Sequence, residues 1–129
     1  MPRLTRTLAV VAIFISMFAT NVAAQSGAED FRHYCAACHK PDGKGGGTWQ
    51  GTEVPDLTRL SQENGGVFPA EDVRKVVDGR KTPRWHQRVR DMPYWGEVFE
   101  AEANNPTSKA QVQARIADIV DYVKGIQEK

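Results

Sequence analysis

A mainly helical domain is predicted by three stretches of the sequence. Ser26-Gly27-Ala28-Glu29 has the form of a capping box, a serine N-cap with glutamate three residues on, and it opens a helix carrying Phe31 and Tyr34. Val73, Val76 and Val77 recur at helical spacing, after Pro69, Glu71 and Asp72 and before Gly79. Val112, Ile116, Ile119, Val120, Val123 and Ile126 recur at threes and fours near the C-terminus. No βαβ pattern surrounds the two cysteines of the chain.

The length, 129 residues, suggests one domain. Its first residues carry Arg3 and Arg6 and no acid before Glu29. An apolar run from Leu8 to Ala19 follows, then Val22-Ala23-Ala24 with small residues at the −3 and −1 places of a cleavage site. This is the pattern of a secretory signal peptide over 1–24, leaving a domain over 25–129 exported to the periplasm. The apolar run is short for the ~20 residues of a spanning helix. Membrane association is expected only if the segment is not cleaved. No cysteine follows the cleavage site to carry a lipid. The chain has 17 basic and 16 acidic residues, formally +1; losing Arg3 and Arg6 makes it −1. That balance argues against a cationic nucleic-acid binder.

The first helix runs into Cys35-Ala36-Ala37-Cys38-His39, which holds both cysteines of the chain. Positions i and i+3 share a helix face, so both sulfurs can reach one flat ligand. Two thiols three apart with histidine next read as covalent attachment of haem c. Each thiol would add across one vinyl group, and His39 would bind the iron. A thioredoxin-like pair would want a strand before the motif, and zinc commonly wants two separated ligand pairs. Chance placement is the third alternative. In an oxidising compartment the two thiols tend to pair, so attachment requires a maturation system that keeps them reduced. His33 lies too close to Cys35 to supply the second face of the same haem. It reads as a surface or packing residue.

Lys40 to Thr48 is dense in glycine and reads as a loop. A phosphate cradle is excluded, because the lysine is followed by more glycine rather than Ser or Thr. Small residues here would let the backbone fold tightly beside a ring. Pro55 has a free carbonyl that can accept from the other ring N–H of an iron-bound histidine; an ordinary turn proline is the alternative. Leu57 and Leu60 are expected to be buried. Gly65-Gly66 breaks the chain before the valine helix. Arg74, Lys75, Arg80, Lys81, Arg84, Arg88 and Arg90 form a basic run with one acid, Asp78. Such runs are usually solvated, but this one precedes a second candidate ligand and could border a haem edge.

That candidate is Met92, in Asp91-Met92-Pro93-Tyr94-Trp95-Gly96. With 1–24 removed it is the only methionine, and the following proline keeps it out of a helix. A thioether suits the second axial site of a cytochrome iron. A core gap-filler is the alternative role for the residue, and His86 is the rival ligand. The last helix starts near Thr107-Ser108 and needs a partner face, with Tyr122 on the flank of its stripe. The first helix is the natural partner, and Gly27 would let the backbones approach closely.

Taken in order, these stretches resemble a class I c-type cytochrome of bacterial, monohaem type. The likeness rests on Gly27 and Phe31 before the Cys35–His39 motif, Pro55-Asp56-Leu57, Val76-Val77-Asp78-Gly79-Arg80, Met92-Pro93-Tyr94-Trp95-Gly96 and Ile119-Val120-Asp121-Tyr122-Val123. The resemblance implies an all-α cytochrome c fold, wrapped round one covalent haem c, with first and last helices packed together. It also implies His39 and Met92 as iron ligands and Pro55 as the histidine's acceptor. The glycine loop and the basic run have no clear match. The function implied is an electron carrier between redox proteins, not an enzyme. A haem c subunit of a periplasmic dehydrogenase complex and an open-site haem binder or peroxidase are the alternatives.

Overall fold

The computed structural model describes residues 26–80, 91–103 and 108–129. The expected signal segment, the stretch from Lys81 to Arg90 with His86, and Thr107 lie outside them. The regular structure of the described part is helical apart from one small hairpin, as an all-α cytochrome c fold requires.

Helix α1 covers residues 26–39 and is not uniform. Its middle, Phe31–Cys35, is a π-turn, closed by the Ala36 N–H donating to the Phe31 carbonyl. Single π-turns inside α-helices are rare and favour functional sites. Ser26 is not a cap standing before the helix. It is already helical, and its hydroxyl donates to Asp118 at 2.9 Å. The residue that reads as a local cap ties α1 to the last helix.

That last helix, α5, spans Ser108–Gly125. Val112, Ile116, Ile119, Val120 and Val123 are buried, as the periodicity predicts. Gly27 meets its backbone, and a Cβ there would lie 2.1 Å from the Asp118 carbonyl oxygen. Phe31 is fully buried, with its ring centroid 5.0 Å from that of Tyr122. Arg115 fixes the same junction from the other side. Its guanidinium binds Asp30 at 2.8 Å, Glu102 at 2.9 Å and the Tyr34 hydroxyl at 2.9 Å, while lying over the Phe99 ring.

Helix α3, Ala70–Asp78, starts and stops as expected, and Gly79 adopts φ +80 to end it. Five elements were not foreseen. Strands β1 (Thr48–Trp49) and β2 (Thr52–Glu53) pair antiparallel across a Gln50-Gly51 turn. Both turn residues have positive φ, the hairpin geometry for which Asn-Gly is the usual sequence cue and Gln-Gly a weak one. A 3₁₀ turn, Leu57–Arg59, leads into α2, Leu60–Glu63, and the Asp56 carboxylate accepts from the Thr58 N–H. Helix α4, Trp95–Ala103, follows the Met-Pro turn directly. The C-terminal residues fasten this region. Gln127 donates to the Leu57 carbonyl at 2.7 Å and accepts from the Ser61 N–H at 2.8 Å. Among the described residues no helix is long and apolar enough to cross a membrane.

Candidate haem site

The C-terminal end of α1 opens onto a cavity of about 410 Å³, within the usual range for cofactor pockets. Cys35, Cys38, His39, Pro55 and Met92 all line it. The structure therefore gathers these five candidate residues from three separate stretches of chain, while the rival ligand His86 lies outside the described residues. The two cysteines are not joined to each other. Burial, then the charge of Asp30 and of Cys38, pushes the Cys35 thiol up to about 12. A thiol so held is a poor nucleophile, because the thiolate is the reactive form.

His39 is 8% exposed. Its Nδ1 lies 3.3 Å from the Pro55 carbonyl oxygen, a long but directed contact. A carbonyl only accepts, so Nδ1 must carry the proton and Nε2 keeps its lone pair. Burial lowers the affinity of the ring for a second proton, against a smaller opposite push from Pro55. Neutral, oriented imidazole is the form that binds a metal.

The glycine loop delivers that carbonyl. Gly45 donates to the His39 carbonyl at 2.9 Å, and Gly46 to the Val54 carbonyl at 3.0 Å. Gly45 has φ +56, and a Cβ would sit 2.3 Å from the Pro55 oxygen. The tight approach expected of these glycines is thus made to the Val54-Pro55 backbone.

Leu57 and Leu60 are half-buried rather than buried, because their side chains face the cavity. Phe31, Val73, Val76 and Ile119 complete a mostly apolar wall. Met92 is half-buried on a non-helical segment, as Pro93 demands. His33 is exposed, in line with its reading as a surface residue. The hairpin was missed entirely, yet it contributes Trp49, Thr52 and Glu53.

Of the basic run, the described members are paired. Arg74 binds Glu71 at 2.7 Å and Gln113 at 2.8 Å; Arg80 binds Asp78 at 2.5 Å and Glu100 at 2.9 Å. Lys75 lies 3.8 Å from both Glu71 and Asp72. Arg74 thereby reaches α5 and Arg80 reaches α4, Lys75 pairs within α3, and none of the three lines the cavity.

Two thiols and a nitrogen donor at one helix end, an orienting carbonyl and a thioether, all facing an apolar slot, fit covalent haem and its iron. No group of three or more His, Cys, Asp or Glu residues among those described could hold a bare metal ion. The family model described as Cytochrome c matches residues 24–127. No curated protein and no solved structure matches the chain.

Proposed function

We infer a carrier role from the premise that the chain belongs to the cytochrome c family, whose members hold haem c and its iron covalently and serve redox partners. The finer reading is a periplasmic, class I monohaem cytochrome of bacterial type, passing single electrons between redox proteins. One observation carries it: Met92 faces the same apolar cavity as the Cys35–His39 motif.

Cys35 and Cys38, three apart at one helix end, would anchor the ring, and His39, oriented by Pro55, and Met92 would be the residues to hold its iron, through Nε2 and sulfur. When bound, haem supplies a one-electron ferric–ferrous couple. With both residues bound, no open iron site would remain, which would favour electron transfer over ligand activation. An apolar wall and a thioether disfavour the more charged ferric state and raise the potential. The signal pattern over 1–24 supports export and cleavage after Ala24.

Optical spectra and intact mass of the matured protein test this reading. A chain beginning at Gln25, heavier by one haem, low-spin, with a Met–Fe charge-transfer band near the red end, is the expected result. Met92→Ala should abolish that band and lower the potential. A Met92→Ala spectrum identical to that of the unaltered protein would reject the axial methionine.

A further inference from the structure

We propose that Thr52 is a positioning residue for Met92, acting through Asp91; this rests on the reading of Met92 as an axial ligand. Thr52 Oγ1 donates to Asp91 Oδ2 at 2.6 Å, joining residues 39 apart in sequence. Both side chains line the cavity, and both residues are half-buried. A hydroxyl on a carboxylate is a charge-assisted hydrogen bond, stronger than a neutral one.

The location of this bond gives it its role. Met92 lies in a short irregular segment between Asp91 and α4. Downstream the segment is anchored by Trp95, whose ring lies 5.3 Å from Tyr34 and 5.9 Å from Phe99. On the Asp91 side, Thr52 supplies the anchor. The hairpin bearing Thr52 is itself tied by backbone bonds, its strand pairing continued by Gly46 to Val54 at 3.0 Å and Val54 to Gly47 at 3.1 Å. Three residues beyond Thr52 is Pro55, which holds His39. One short stretch, Thr52 to Pro55, therefore braces both iron-ligand segments: His39 through a carbonyl and Met92 through a carboxylate.

An external base could reach the iron only if the Met92 sulfur withdrew, and the Thr52–Asp91 bond next to it in the chain would oppose displacement of that segment. Weakening the bond enlarges the Met-off fraction, and apparent affinity for the incoming ligand rises in proportion.

The experiment is an optical titration of the matured ferric protein with imidazole, for the unaltered chain, Thr52→Val, Thr52→Ser and Met92→Ala. Valine keeps shape and strand preference while deleting the hydroxyl. Imidazole should bind Thr52→Val about tenfold more tightly, the net worth of one charge-assisted hydrogen bond. Thr52→Ser should restore the unaltered affinity. If Thr52→Val fails to mature, Asp91→Asn takes its place, with a smaller shift in the same direction. A band lost in Met92→Ala with unchanged imidazole affinity in Thr52→Val (or, in its place, Asp91→Asn) overturns the brace and leaves methionine ligation standing. Thr52→Ser behaving like Thr52→Val also overturns it. No Met–Fe band in the unaltered protein overturns both.

Discussion

Replacing Gly27 with alanine sets helix propensity against packing, and the two predict opposite signs. In a helix interior, Gly→Ala is worth about 1 kcal/mol of added stability. At this position the new Cβ would sit 2.1 Å from the Asp118 carbonyl oxygen and 2.7 Å from its carbon. Ordinary contact begins near 3.4 Å, so α1 and α5 must part by about 1.3 Å. The obstacle is backbone and has no rotamer by which to yield. Overpacking of this kind costs about 3 kcal/mol, the upper end of its usual range. Separation also stretches the Ser26–Asp118 hydrogen bond, removing about 1 kcal/mol more. The net expectation is a loss of about 3 kcal/mol, or roughly 10–20 °C in Tm for a domain of this size. Thermal unfolding of the matured protein, followed by far-UV circular dichroism, gives the answer. A Gly27→Ala protein as stable as the unaltered one, or more stable, would show that the helices do not cross here at this distance.

Two further substitutions probe the site and its frame. Gly45→Ala forces a side chain into φ +56 and against the Pro55 oxygen, so the carbonyl should leave His39. Without that acceptor the imidazole is less electron-rich, and the reduction potential should rise. An unchanged potential in spectroelectrochemical titration would remove Pro55 from the site. Asp78 is held below the usual carboxylate range by Arg80 first and by Gln113 as well, against its own burial. A depressed folded-state pKa means stability that is present above ~pH 4 and lost as pH falls through the folded value. Asp78→Asn should therefore cost about 1–2 kcal/mol near neutrality, with the deficit shrinking below ~pH 4 in urea titrations. A deficit constant with pH would refute the ion-pair account.

The parts of the fold legible in the sequence are those whose signal is local and repetitive. The stripe from Val112 to Val123 reads directly as one buried face, and Gly79 reads as a helix stop. The attachment motif is legible because its spacing is itself the chemistry. Helix α4 was hidden, since Met92-Pro93 and Gly96 announce a turn while the helix begins at Trp95, between them. The hairpin was hidden because two-residue strands carry no period and Gln-Gly is not a strong turn pair. Ser26 misled, since a local cap and a cross-helix tie use the same hydroxyl. Of the basic run only Arg74, Lys75 and Arg80 are described, and composition recorded their charge but not their acidic partners.

Which contacts hold the ligand-bearing segments bears on what the site can do. The ties that matter join distant parts of the chain. Ser26 reaches Asp118 over 92 residues, Arg115 reaches Asp30 over 85, Gln127 reaches Leu57 over 70 and Thr52 reaches Asp91 over 39. Each fixes a segment that contributes to the cavity wall or abuts it. Catalysis at an open iron would need a wall able to yield to substrate, with a mobile lid or an unpinned ligand loop. Electron transfer needs the reverse: the same geometry before and after, so that little nuclear rearrangement accompanies the charge. A cavity pinned at the ends of α1, at Leu57, and at both sides of the Met92 segment suits the second task. For that reason the placement of Met92 on the same cavity as His39 is the feature that best separates a carrier from an open-site haem protein, and the Thr52–Asp91 bond beside it is one of the contacts that pin its segment.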